Sequence, residues 1–595
     1  MKNHKSAAIS LALIIAGFMT AKSQDLLANI EGRNFTSLNG QWQIIIDPYD
    51  AGAGDWKPIW RDQQPGSKTD FYEYQFSDAN QLAVPGDWNS QNRELKYYEG
   101  TVWYKKTIHF SKKKNKKYFI YFAAVSYASD VYINNEKAGS HEGGFTPFQF
   151  DITDKLKNGD NSIIVRVNNT RREDNIPALN FDWWNYGGIT RDVYLAETPE
   201  LFIKDYFIQL GKNSKTEIKG WVALNAKGVK KLAVQIPELK INYSTQTNEN
   251  GQALLKIPAK PQLWSPKNPK LYTVIIKTET DSIREAIGFR TIAVRALDIL
   301  LNGKPVFLKG INIHEEMPQR MGRAWSEADA LQLLNWAREL GCNFVRTTHY
   351  PHNEHMVRLA DKMGIMIWEE IPLWQGIQFT NPEILKKANR FLDEMITRDK
   401  NRSSVIIWSL SNETTPSESR NKTLATMAVH ARSLDSTRLI TSAFNHVVYD
   451  KNTVTIEDPL SESLDVLAVN EYLGWYNQWR AKPGDMEWKS FYTKPLIISE
   501  FGAEALYGQH GPADVLSSWS EESQEKVMQD QVTMFRQISF LRGTCPWILV
   551  DFRSPTRRHP VYQQGWNRKG LIGNNGLKKR AWYVIRNYYN EIDGK

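Results

Sequence analysis

Cysteine is nearly absent: Cys342 and Cys545 are the only two in 595 residues. A disulfide-stapled scaffold is therefore excluded, and the fold must rest on buried apolar surface. Beyond the N-terminus no uninterrupted apolar run reaches the ~20 residues of a membrane-spanning helix, so the mature chain is expected to cross no membrane. Low-complexity segments and solenoid-type repeats are also missing. Lys and Arg are dispersed along the chain, which argues against a nucleic-acid-binding stripe.

Several features are present in strength. The N-terminus reads MKNHKSAAISLALIIAGFMTAKSQDL. Lys2 and Lys5 make a basic start, an apolar run from Ala7 to Met19 follows, and Ala21-Lys22-Ser23 offers small residues for cleavage. That is the pattern of a secretory leader over residues 1–23, and it carries no lipoprotein cysteine. The formal charge is +9, and removal of Lys2, Lys5 and Lys22 lowers it by three to +6. A mild positive field suits an anionic substrate. Export places the protein in the periplasm as the first expectation, with the outside medium as the alternative. Aromatics reach 12%, including 21 Trp, flat apolar rings that suit either the grip of a sugar ring or a large Trp-rich core.

The periodicity changes twice, and 595 residues exceed a single ordinary core. Residues 24–197 show short alternating runs such as KYFIYFAAVSYASDVYINNEKAG and NSIIVRVNN, separated by Gly, Asn and Asp turns: a β jelly-roll sandwich. Residues 198–292 hold further short strands around the Pro-rich turn PAKPQLWSPKNPKLY, at the size of an immunoglobulin-like β-sandwich. From 293 to 595 apolar strands alternate with amphipathic helices. Eight strand candidates appear: KGINIH, NFVRTTH, GIMIWEEI, SVIIWSLSNE, LITSAF, DVLAVNEY, PLIISEFG and CPWILVDF. This multidomain chain therefore predicts a C-terminal (β/α)8 TIM barrel, a fold whose chemistry sits at the C-terminal strand ends. Those ends carry His314, His349, Glu370, Asn412, Glu413, Asn470, Glu471, Glu500 and Asp551. The barrel also separates the cysteines by two strand spacings, roughly 9–10 Å. That is too far for a disulfide, so two buried free thiols are expected.

Glu413 ends the fourth strand candidate and Glu500 the seventh. Two carboxylates at one barrel mouth are what glycosidic cleavage needs: one protonates the leaving oxygen, the other attacks the anomeric carbon or activates water. SVIIWSLSNE together with PLIISEFGA resembles the family 2 glycoside hydrolases. The likeness extends over nearly the whole mature chain, through WWNYGGITRDV at 183–193 and NFVRTTHYPH at 343–352. The resemblance implies a retaining mechanism, with Glu413 as acid/base, Glu500 as nucleophile and Asn412 bonding the sugar 2-hydroxyl. It implies no metal and no organic cofactor. His314, His349 and His352 lack metal-ligand spacing and read as sugar contacts or as structural residues.

The sugar is indicated by WNRKG, which supplies Asn567-x-Lys569. In the β-glucuronidases of this family such a pair binds the uronate carboxylate, a charge-assisted contact; some β-galactosidases of the family carry a similar loop. NEYLGWYNQW resembles the β-glucuronidase loop that brings Asn470 and Tyr476 to the sugar. Trp547 matches an aromatic floor, His314 a further contact, and GGFTPFQFD a first-domain loop reaching the site through Asp151. One position departs: Gln563 stands where some relatives have Arg, with Arg557 or Arg558 as the candidates to replace it. HEEMPQRMGRAWSEADA is short, leaving the mouth open to an oligosaccharide end. The expected function is an exo-glycosidase removing terminal β-D-glucuronic acid. A β-galactosidase and a non-catalytic carbohydrate-binding protein are the alternatives, and self-association into a homo-oligomer stays open. Under the acid/base assignment, Glu413→Ala should slow poor-leaving-group substrates at least 10²-fold more than p-nitrophenyl glycosides, a value on the order of general acid catalysis. Equal losses on both, in steady-state kinetics, would remove that role.

Overall fold

The computed structural model describes residues 26–594, save for 55, 57, 68, 71, 78 and 213. The expected leader at 1–23 lies outside the described residues. The first domain is a sandwich of a six-stranded and a four-stranded antiparallel sheet. Alternation drives it: in the strand Gly159–Asn168, Ile163, Val165 and Val167 enter the central core, while Ile164 faces a second cluster with Trp103 and Tyr132. The second domain pairs a three-stranded with a four-stranded sheet around Ile218, Val222, Val234 and Ile276.

The barrel follows the expected alternation. Its strands include Phe344–Thr347, Met366–Glu370, Val405–Asn412, Leu439–Phe444, Leu467–Asn470 and Leu496–Glu500, all parallel. These segments are buried along their whole length, as strands covered on both faces must be. The chain at 308–313 closes the sheet. Leu308 pairs with Gly543 on one side, and Asn312 with Arg346 on the other. The Asn312 amide donates to the carbonyls of Ser499, Cys545 and Pro546 at 2.8–3.0 Å, tying the first strand to the seventh and eighth.

The eighth strand is displaced from its expected position. It is Leu541–Thr544, LRGT, rather than CPWILVDF. Pro546 has no N–H for a ladder, and the apolar run beyond it has another place: Trp547, Ile548 and Phe552 are buried among the aromatics of the barrel mouth. Cys342 and Cys545 are free and buried, as the strand spacing requires, and burial pushes both thiols up.

The barrel floor is sealed from the second domain. Trp264 is fully buried and joins a cluster with Leu308, Phe344, Trp368 and Ile406. Its indole N–H donates to the Asp361 carbonyl at 2.9 Å. Nearby, Asn401 accepts from the Ile208 N–H and donates to the Tyr206 carbonyl, joining an immunoglobulin-like strand to the barrel. Trp264→Ala removes a fully packed indole and should destabilise the chain by about 3–5 kcal/mol in urea unfolding. A loss under 1 kcal/mol would show that the floor packs without the second domain.

Candidate active site

The strand ends converge on a cavity of about 360 Å³ at the C-terminal mouth of the barrel. Among its lining residues is Glu500, the last residue of its strand and 4% exposed. Arg346, from the second strand, donates to Glu500 Oε1 at 2.9 Å, and the Tyr472 hydroxyl donates to Oε2 at 2.8 Å. The Arg346 side chain is wholly buried and also makes a two-pronged contact with Glu370 at 2.9 and 3.1 Å. Burial is the largest influence on Glu500 and, with the neighbouring Glu413 carboxylate, pushes it up to about 8; Arg346 and Tyr472 pull the other way. Both donors favour the charged form, so they lower the pH at which this carboxylate becomes available.

Glu413 follows the fourth strand with a left-handed φ of 51° and is half-buried. Held conformations of this kind for a non-glycine residue concentrate at functional sites. Its oxygens accept from Asn470 Nδ2 at 2.9 Å and Gln375 Nε2 at 2.8 Å. Asn412, one residue earlier, is buried behind Glu413 and is not one of the residues that line the cavity. Its Oδ1 accepts from Arg346 at 2.7 Å and from Asn470 at 3.0 Å, while its Nδ2 has no partner among the described residues. His314 presents a similar vacancy: Nδ1 meets the Tyr350 hydroxyl at 3.1 Å, and Nε2 is unpartnered in a ring that burial keeps well below its usual protonation range. Trp547 lines the floor, stacked on His349 with centroids 4.9 Å apart. Vacant donors and acceptors over an aromatic floor match a polyhydroxylated ring.

On the other side, four charges interlock. Lys569 has a side chain 1% exposed; its ammonium donates to the Tyr476 hydroxyl at 2.7 Å and to Glu504 at 3.4 Å. Arg557 forms an ion pair with Asp182 at 2.5 Å and donates to Tyr476 at 3.0 Å and Glu504 at 3.3 Å. Burial would raise both carboxylates, but Lys569 and Arg557 outweigh it at Glu504, and Arg557 does so at Asp182, holding both below the usual range.

Of the residues expected at the site, Glu413, Glu500, His314, Asn470, Tyr476, Trp547 and Lys569 line the cavity. Asn567 is fully buried behind it, with Nδ2 on Asp182 and Oδ1 on the Lys569 N–H, so its amide is spent on positioning its neighbours. Asp151 is not brought there. It ends a strand whose inward residues are Phe148 and Phe150, and so it points to solvent, bonded to Thr153 and Lys117. The first domain reaches the cavity through a later loop, by Asp182 and Trp183. Gln563 meets Glu504 at 3.0 Å, and it is Arg557, rather than Arg558, that enters the site. Sequence reasoning did not name Arg346, Tyr472, Asp182 or Glu504. Arg346 lies inside NFVRTTHYPH, and Asp182 directly precedes WWNYGGITRDV, which are the signals that could have marked them. Among the described residues no cluster of three or more His, Cys, Asp or Glu could hold a metal.

Three family models match in chain order: the family 2 glycosyl hydrolase sugar binding domain at 35–199, a second family 2 model at 201–290, and the family 2 TIM barrel domain at 292–593. The β-glucuronidase of Rattus norvegicus is 28% identical over 573 residues, covering 86% of this chain and 85% of its own. That of Paenibacillus borealis is 26% identical and covers 94% and 97%. The Ruminococcus gnavus β-glucuronidase solved with D-glucuronic acid superposes with a TM-score of 0.81 at 27% identity, covering 96% of this chain and all of that one.

Removing the Tyr472 hydroxyl deletes a bond that favours ionised Glu500. The acidic limb of kcat/KM on an aryl β-glycoside should therefore move to higher pH in Tyr472→Phe. An unmoved limb would mean that the titrating group is not Glu500.

Proposed function

The chain belongs to glycosyl hydrolase family 2, and from that premise we propose that it is an exported, retaining exo-β-glucuronidase. Glu500 attacks the anomeric carbon, and Glu413 donates a proton to the departing oxygen and later takes one from water. The covalent intermediate forms at Glu500 Oε1 or Oε2, each already held by one donor. In this reading Asn412 Nδ2, without a partner among the described residues, bonds the sugar 2-hydroxyl, and a neutral His314 Nε2 serves another hydroxyl. The expected leader at 1–23 directs export to the periplasm, and no helix among the described residues is long and apolar enough to cross a membrane.

The observation that carries the sugar assignment is the pair Lys569 and Arg557 converging on one oxygen, the Tyr476 hydroxyl, at 2.7 and 3.0 Å. Two cationic donors aimed at a single point suit a carboxylate far better than a hydroxymethyl group. The Lys569 ammonium has three donors and two acceptors among the described residues, one of them distant, so a donor remains for a ligand. Arg557 thereby takes up the role left open by Gln563. The β-glucuronidase names of the relatives support the same reading.

A charge-assisted hydrogen bond contributes about 1.5–3 kcal/mol, or roughly 10–150-fold. Lys569→Ala and Arg557→Ala should each lower kcat/KM for p-nitrophenyl β-D-glucuronide by that factor and leave the slow β-D-galactoside reaction nearly unchanged. A galactoside that outruns the glucuronide in the unaltered enzyme sinks the assignment in favour of a β-galactosidase. A β-D-galacturonide hydrolysed faster than both keeps the carboxylate clamp and changes the sugar.

A further inference from the structure

A second cavity, of about 400 Å³, lies where the jelly roll meets the barrel helix Pro382–Asp399. It is as large as the catalytic cavity, and nothing in the proposed reaction uses it. Two polar atoms of residues in its wall are buried without a hydrogen-bond partner among the described residues: Ser129 Oγ and His141 Nδ1. Ser129 and His141 are only 3% and 6% exposed. Each such vacancy costs about 1–3 kcal/mol unless a ligand or water fills it. Two such atoms behind one wall give a group entering the groove something to satisfy.

The charges in that wall define the ligand. Glu142 and Asp174 are met by Lys387 at 2.7 and 3.3 Å, and Asp130 by Arg166 at 2.9 Å. These pairs neutralise one another's fields and still present acceptors and donors side by side, the mixed pattern that polyhydroxylated rings require. One guanidinium is left over: Arg172 is exposed and has no ion pair among the described residues, whereas Arg390 is paired with Glu394 at 3.9 Å and donates to the Glu142 carbonyl. Planar guanidinium forks recognise carboxylates.

We infer that this groove is a second saccharide site, selective for a glycan that bears uronate groups. It is joined to the catalytic cavity by one stretch of chain, residues 172–183. Arg172 and Asp174 stand in the groove, and Asp182 and Trp183 stand in the cavity. A long acidic glycan held in the groove would keep its enzyme nearby between successive cleavages. The inference stands on the groove's own residues and does not depend on which sugar the catalytic cavity accepts.

The test uses the full chain carrying Glu500→Gln and Lys569→Ala, which disables the catalytic cavity. Isothermal titration with β-1,4-linked triglucuronic acid should still show one binding site, and cellotriose, its neutral counterpart, should bind at least tenfold more weakly. Adding Arg172→Ala, at an exposed position, should weaken the acidic trisaccharide at least tenfold. In the otherwise unaltered enzyme, Arg172→Ala should leave kcat/KM for p-nitrophenyl β-D-glucuronide within twofold. No residual binding, or binding indifferent to Arg172→Ala, overturns the inference. So does full displacement of the trisaccharide by equimolar inorganic phosphate, which would make the groove a simple anion site.

Discussion

The structure of the site depends on one buried cation. Arg346 lies inside the barrel with a side chain that water does not reach, and its guanidinium contacts Glu370, Glu500, Asn412, Asn312 and the Ser499 carbonyl. An isolated charge there would be prohibitive, and it is tolerated because every arm of the fork has an acceptor. The same contacts orient the reacting groups. Glu370 fixes the fork at 2.9 and 3.1 Å, the fork fixes Glu500 and Asn412, and Asn412 with Asn470 leads to Glu413. One positive charge shared between two carboxylates leaves Glu500 incompletely compensated. Burial and the Glu413 carboxylate push Glu500 up against that cation, while Arg346 and His349 hold Glu370 down.

The opposite wall works by a balance of four charges. Asp182 and Glu504 neutralise Arg557 and Lys569, so neither cation is stranded in a dry place. Such a balance permits two cations at one point, where they would otherwise repel. Asn567 contributes by holding Asp182 and the Lys569 backbone, a positioning role rather than a contact with sugar. Tyr476 covers the point on which the cations converge and is more than half exposed, so its place is one a ligand can share.

The division between barrel and outer domains is functional as well as structural. The second domain seals the floor with Trp264, and the first supplies a wall of the mouth with Asp182 and Trp183. The barrel by itself would lack the carboxylate that aims Arg557.

Much of this was legible in the sequence, for local reasons. Continuous apolar runs mark strands covered on both faces, and a polar residue ending such a run must stand at a barrel mouth; Glu413, Asn470 and Glu500 followed from that alone. Sandwich strands follow from period-two alternation, and the free thiols from strand spacing. Asp151, Asn567 and the eighth strand were not decided locally. Asp151 was turned outward by the phase of its strand, and CPWILVDF was drawn into the mouth by the aromatics waiting there. Arg557 and Asp182 are 375 positions apart, and no periodicity links them. The sequence by itself determined which segments could be strands and where their ends would lie, because those depend on neighbours two to four residues away. Only the tertiary structure decided which loop faces which charge, because an ion pair in a dry cavity is set by the packing of three domains and not by the chain on either side of it.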